Sequence, residues 1–203
     1  MIIFGIDHGT KSGYAVIDTA NHTMITGNFR VVGNTDGSRF NCFKQNLNEL
    51  INKYKPDVIC SERPMDKING RTTTFLIGLY SMVHLVAFEN SVDIEEMFPT
   101  SVKKLITGSG KSEKLDVART LAFNYNVPLE SIAIPIRYKR TAFNRKLNRT
   151  VNKGEIRDYE FDPSDALALC EAYRLKNKQL IERIDNVDNK TDDMQVDNEH
   201  NIS

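Results

Sequence analysis

The chain has no tryptophan, and its 203 residues contain only three cysteines and six prolines. Cys42, Cys60 and Cys170 are odd in number and widely spaced. That excludes a disulfide framework and a zinc-ligand pattern, and it fits a reducing, cytoplasmic compartment. No stretch approaches the ~20 uninterrupted apolar residues of a membrane span. Met1 to Asp7 is apolar for a few residues only, with no basic leader and no small-residue cleavage site, so no secretory signal is expected. What is present is ordinary: 40% apolar and 27% charged residues. This usage excludes a mainly disordered chain and a collagen-like repeat, and the length suffices for one sizeable core.

Charge of either sign is not scarce but segregated. Lys plus Arg and Asp plus Glu both number 27. From residue 185 onward, Asp185, Asp188, Asp192, Asp193, Asp197 and Glu199 face Lys190 alone, so this tail is acidic and the body is correspondingly basic. Residues 134–153 hold Arg137, Lys139, Arg140, Arg145, Lys146, Arg149 and Lys153 with no acid among them. Such a run is a footprint for a polyanion or, more plainly, a solvated basic loop.

Hydrophobic periodicity gives the element order. Ile2, Ile3, Phe4 and Ile6 form a short apolar run ending in Asp7, and 14–18 and 24–32 read as two further strands of a meander. Phe40, Phe43, Leu47, Leu50, Ile51 and Tyr54 fall at helical spacing, predicting a helix from about Ser38 to Lys55. Val58 to Cys60 reads as a buried strand before Glu62. Thr72 to Glu89 is a helix apolar over much of its girth, open to core burial or a subunit interface. A strand over 92–98, a short helix over 100–106 and a helix capped by Ser112 follow. The basic segment reads as an extended arm or hairpin. A last helix is expected to run to about Asp185, with Asp162 as N-cap and Pro163 at its first position. The patternless tail is expected to be disordered. The order predicts an α/β fold: a mixed five-stranded sheet flanked by helices, compatible with a ribonuclease H-like arrangement. The expected organisation is one domain over 1–184, with a basic insertion at about 128–160, and an acidic tail over 185–203.

Acids fall where elements end or begin. Asp7 ends the first strand, Glu62 follows the Val58–Cys60 run, and Asp162 and Asp165 stand in the first turn of the last helix, three apart on one face. Each has a bland alternative: Asp7 caps a turn, Glu62 pairs with Arg63, and Asp162 and Asp165 complement a helix terminus. Carboxylates gathered at adjacent strand ends repel each other and need cations or protons. Hard oxygen donors favour Mg²⁺ or Mn²⁺, and two such ions stabilise the attacking and leaving oxygens of a phosphodiester displacement.

Several segments carry a resemblance. They are Phe4-Gly5-Ile6-Asp7-His8-Gly9-Thr10-Lys11-Ser12-Gly13-Tyr14-Ala15, Ser61-Glu62-Arg63-Pro64, residues 99–108 from Pro99, Lys111-Ser112-Glu113-Lys114 and Asp162-Pro163-Ser164-Asp165-Ala166-Leu167-Ala168. In order and spacing the series resembles the RuvC-type Holliday junction resolvases, more closely the phage-borne members than the bacterial housekeeping enzyme. The resemblance implies a ribonuclease H-like homodimer that nicks four-way DNA junctions with Mg²⁺ or Mn²⁺, two ions per site, leaving 5′-phosphate and 3′-hydroxyl ends. It implies Asp7, Glu62, Asp162 and Asp165 as metal ligands and Lys103 and Lys114 as catalytic lysines. It implies the 72–89 helix as the dimer-forming element, and a cytoplasmic setting, that of the host for a phage-encoded chain.

Two departures qualify it. The family's aromatic after the catalytic Glu is replaced by the stretch from Met65 to Gly70, leaving Met65 or Ile68 as the wedge at a junction. The basic arm is much longer than in the bacterial enzyme. With Lys103, Lys104, Lys111 and Lys114, the arm residues Arg137, Lys139, Arg140, Arg145, Lys146 and Arg149 are the expected DNA contacts. Phosphate contacts carry no base reading, so three-way junctions and forks are expected substrates with weak sequence choice. Rivals are a nuclease of the same fold acting on RNA or flaps, and a non-catalytic junction-binding protein. An actin-like ATPase shares the Gly-Ile-Asp-x-Gly-Thr start, but no second glycine-rich loop accompanies it here. No nucleotide cofactor or membrane partner is expected.

Overall fold

The structure, a computed structural model, describes residues 1–64 and 70–185. Five strands form the central sheet: β1 (Ile2–Asp7), β2 (Lys11–Asp18), β3 (Thr23–Arg30), β4 (Val58–Glu62) and β5 (Asp93–Met97). Their spatial order is β3-β2-β1-β4-β5. β1 to β3 form an antiparallel meander, whereas β4 and β5 run parallel to β1. This is the expected mixed five-stranded sheet.

β1 is central because both its faces are apolar. Ile3 enters one core layer, while Phe4 and Ile6 enter the other. The parallel steps need crossovers, supplied by α1 (Asp36–Tyr54) and α2 (Gly70–Glu89) on one face. α3 (Pro99–Thr107), α4 (Lys114–Asn124) and α5 (Asp162–Lys176) cover the other. α2 is long and apolar enough to pass for a membrane span by length and composition alone, a pattern that the core helix of a globular domain shares. Here its Phe75, Leu79, Val83, Val86 and Ala87 are buried in the α1–α2 core layer.

Two glycines set how closely α5 approaches the sheet. A Cβ at Gly5 would lie 2.2 Å from the Ala166 carbonyl oxygen, and one at Gly13 would lie 1.9 Å from that of Asp162. Helix and strands touch backbone to backbone, which brings the first turn of α5 beside the end of β1.

The basic segment is a two-tiered hairpin. β6 (Ile134–Arg137) pairs antiparallel with β9 (Ile156–Glu160), and β7 (Ala142–Asn144) with β8 (Arg149–Val151) above it. The expected arm is thus present, rooted where β9 runs into α5.

Several helix ends differ from expectation. α1 begins at Asp36, because the Thr35 and Ser38 side chains form a reciprocal capping box. Ser112 does not cap α4; its hydroxyl bonds that of Thr107 at 2.7 Å, and Glu113 is the N-cap residue. Asp162 is not the N-cap of α5 but its first residue, with Phe161 before it. Its carboxylate turns toward Lys11 at 3.6 Å rather than back to the helix amides. α5 ends at Lys176, and 178–185 forms a separate helical segment after Asn177, whose amide donates to the Tyr173 carbonyl. Asp185, counted with the tail, belongs to the fold, accepting from the Met1 ammonium at 3.0 Å and the Thr19 hydroxyl at 2.9 Å. Met65 and Ile68, and the tail from 186, lie outside the described residues.

Candidate active site

Parallel pairing puts Ile6 opposite Ser61, so Asp7 and Glu62 leave the ends of neighbouring strands side by side. Asp165 reaches the same place from α5. The three carboxylates feel one another. Burial raises the pKa of Asp7 well above the carboxylate range, Asp165, Glu62 and Asp162 push it further, and Lys114 opposes them. Glu62 is raised by burial and then by Asp165, against Lys114 and Lys103. Asp165 is raised by burial and by Asp162, although Lys114 and Lys103 counter this.

Lys114, at the start of α4, forms an ion pair with Asp165. Partial desolvation favours its neutral form, yet Asp165, Asp7 and Glu62 outweigh this and raise its pKa. Lys103 stands on α3 within electrostatic reach of Glu62 and Asp165. Asp162 lies at the margin, beside Lys11, which also pairs with Glu160. Lys11 joins the site through these ion pairs; its place four residues after Asp7 in the motif is the sequence signal for it.

Two clefts meet at Glu62. One, of about 330 Å³, is lined by Asp7, His8, Glu62, Pro64, Thr73, Leu76 and Ile77. The other, of about 200 Å³, includes Lys103, Lys114 and Asp165 on its wall. His8 packs its ring against Tyr80, with Nδ1 3.4 Å from the Ser61 hydroxyl. Burial and His84 lower its pKa to about 4, so it is neutral near pH 7.

The donor set fits hard divalent cations. It consists of carboxylate oxygens whose ionised forms destabilise one another, and a lysine ammonium already sits among them. As placed, no three His, Cys, Asp or Glu side chains among the described residues close around a common point. Asp7 and Asp165 line the two clefts that meet at Glu62 without the carboxylates being drawn in to coordination distance, and Lys114 is the positive charge that Asp165 meets.

The expected DNA-contact residues divide. Lys104 and Lys111 are exposed near this face, on α3 and in the loop after it. Lys139, Arg140, Arg145 and Lys146 are exposed on the arm. Arg149 is ion-paired with Glu155, and Arg137 donates to the Gly154 carbonyl at 2.9 Å, so both brace the hairpin.

A family model described as crossover junction endodeoxyribonuclease RuvC matches residues 3–131. The RuvC of Prochlorococcus marinus subsp. pastoris is 30% identical over 132 residues, covering 63% of this chain and 83% of the relative. That of Chlorobium phaeobacteroides is 25% identical over 187 residues, covering 90% and 87%. Among solved structures, Thermus thermophilus RuvC in complex with a Holliday junction superposes with a TM-score of 0.65 at 15% identity, covering 88% of this chain and 96% of the other. The yeast mitochondrial Holliday junction resolvase gives 0.60 at 14%, covering 93% and 83%. The structures share the ribonuclease H-like fold expected above. Since the model matches more than half of its length, the chain belongs to the crossover junction endodeoxyribonuclease RuvC family.

Proposed function

We propose that the chain is a metal-dependent, structure-selective DNA endonuclease that nicks Holliday junctions and, with weak sequence preference, three-way junctions and forks. The observation that carries this reading is the meeting of Asp7, Glu62 and Asp165 from three elements, with Asp165 raising the pKa of both Asp7 and Glu62 and Glu62 raising that of Asp7. Beside DNA phosphate such a cluster is repulsive unless cations are held in it.

Asp7, Glu62, Asp162 and Asp165 would hold the two Mg²⁺ or Mn²⁺ ions. When bound, these ions supply a water of lowered pKa and Lewis-acid stabilisation of the phosphoryl oxygens. Lys114 and Lys103 offset charge on the scissile phosphate. Products carry 5′-phosphate and 3′-hydroxyl ends. Lys11 positions Asp162 by holding its carboxylate from β2. Exposed cations of α3 and the arm grip backbone phosphates. The chain works as a homodimer through α2, whose Ile77, Leu85 and Phe88 face solvent, Phe88 at 82% exposure. Its place of action is the cytoplasm.

The test is cleavage of synthetic four-way, three-way and linear duplex DNA and of an RNA hairpin, in Mg²⁺ and in Mn²⁺. Expected are nicks at branch points only, with Asp7→Asn binding junctions but not cutting them. Preferential cutting of linear DNA or RNA, or undiminished cutting by Asp7→Asn, would overturn the reading.

A further inference from the structure

We propose that the tip of the β7–β8 hairpin is a base-stacking site, in which Phe143 packs against an unpaired nucleotide at the branch point while the cations around it hold the flanking phosphates. This rests on the reading of branched DNA as substrate and names the feature of that DNA which the arm selects.

Phe143 is 61% exposed, at the centre of β7. Its cross-strand neighbour is Thr150, which is also exposed, so the ring has no apolar cover from the opposite strand. The hairpin has a buried side: Val151, one residue further along β8, is 1% exposed. Phe143 therefore lies on the face turned away from the support, and Leu147 in the connecting turn is 52% exposed.

The surroundings of the ring are cationic. Phe143 shares an open groove of about 580 Å³ with Lys139, Arg140, Arg145, Lys146 and Arg157. Among the described residues none of these five forms an ion pair, whereas Arg149 is neutralised by Glu155. The arm thus has two structural cations, Arg137 and Arg149, and, among the described residues, a set without ion pairs around an aromatic face. Cations alone suit duplex phosphates, which gain nothing from a flat apolar ring. A ring among cations suits a strand whose base faces are accessible, because stacking requires a base already out of its duplex. A branch point, a fork or a single-stranded gap supplies such a base.

The platform is preorganised. The Asn144 side-chain oxygen accepts from the Lys146 and Leu147 amides at 3.0 and 3.2 Å, and its amide donates to the Tyr138 hydroxyl at 2.9 Å. The Lys153 amide donates to the Thr141 hydroxyl at 3.0 Å across the tier. Little backbone freedom remains to be lost in the turn when DNA binds. The root of the arm is fixed too, since Ile134 pairs with Glu160, two residues before Asp162. Nine residues separate Ile134 from Phe143, so the ring lies at most about 30 Å along the strand from that root. The root itself lies two residues from Asp162, so arm and carboxylates can contact the same junction.

The absence of tryptophan makes the test clean. In full-length Phe143→Trp, indole fluorescence reports on this position alone. It is read in EDTA, so that no cutting occurs, against a forked DNA with unpaired arms, a fully paired duplex of equal length and poly-glutamate. Phe143→Ala and Phe143→Tyr are compared in binding the same DNAs. Expected are quenching by the fork well beyond that by the duplex, affinity for the fork reduced about ten-fold or more by Phe143→Ala, and near-normal affinity in Phe143→Tyr. Duplex affinity should change less than two-fold. Equal quenching by duplex, quenching by poly-glutamate as strong as by the fork, or unchanged fork affinity in Phe143→Ala would overturn the proposal. If the wild type nicks junctions while one of these results holds, the stacking site alone fails. If the wild type neither binds nor nicks branched DNA, the functional reading fails with it.

Discussion

Replacing Gly13 by alanine should disable the site without touching a charged group. Gly13 pairs with Asp7 across β1 and β2 and lies beneath the start of α5. An added Cβ would sit 1.9 Å from the Asp162 carbonyl oxygen, 2.2 Å from its carbon and 2.9 Å from the Pro163 nitrogen. All three are backbone atoms, so no side-chain rotation relieves the overlap. Restoring ordinary contact requires the helix start to retreat by about 1.5 Å. Overpacking of this kind costs about 1–3 kcal/mol, a drop of roughly 2–12 °C in melting temperature for a chain of this size. The same retreat carries Asp162 and Asp165 away from Asp7, and a displacement of about 1 Å in a reacting constellation costs about 100-fold in rate. The assay is single-turnover nicking of a labelled four-way junction in Mg²⁺, paired with a thermal melt. Gly37→Ala is the control, because a Cβ there meets only the Thr35 hydroxyl, at 3.9 Å. Wild-type nicking and melting by Gly13→Ala would refute the argument that backbone contact between β2 and α5 aligns the acids.

Three further expectations follow from the same geometry. The raised pKa values of Asp7, Glu62 and Asp165 mean that the folded, ion-free chain binds more protons than the unfolded one, so these groups add stability as pH falls through their folded values toward the ordinary carboxylate range. Melting with and without Mn²⁺ from pH 8 to pH 5 should show an ion-induced rise that shrinks over that same interval; a rise independent of pH would contradict it. Arg174→Ala should destabilise by about 2–4 kcal/mol in urea unfolding, because it leaves Glu171, 2% exposed, with only the Tyr125 hydroxyl of its present side-chain partners. Nicking at low temperature should persist. The double charge reversal Arg140→Glu, Arg145→Glu should lower the slope of log affinity against log salt by about two for duplex arms, while Arg149→Glu, whose charge Glu155 already meets, should lower it by less than one.

The legible parts of the sequence were those written in local pattern. Asp7 and Glu62 each close an apolar run, and runs that end in acids on parallel neighbours place those acids together at the carboxyl ends of the strands. Pro163 marked the start of α5 to within one residue. The arm was legible as a hairpin from its charge and its lack of helical period. What stayed hidden was set by contacts distant in the chain. The tether of Asp162 to Lys11 spans the whole fold, and it moved Asp162 out of the capping role that its residue type suggests. Ser112 looked like a cap, but Thr107 engages its hydroxyl. The partner of Arg149, Glu155, lies just past the acid-free window, so the composition of that window does not show the ion pair. Phe143 drew no attention because a single phenylalanine in a basic run has no period to betray its exposure.

The most direct measurement of the central claim is the anomalous scattering of manganese in crystals of the full chain soaked with Mn²⁺ at pH 8. The account expects density between Asp7, Glu62 and Asp165, with Lys114 displaced from Asp165 and the density lost in Asp7→Asn. Manganese bound elsewhere only, or these carboxylates left with Lys114 as their sole counter-charge at saturating ion, would contradict it.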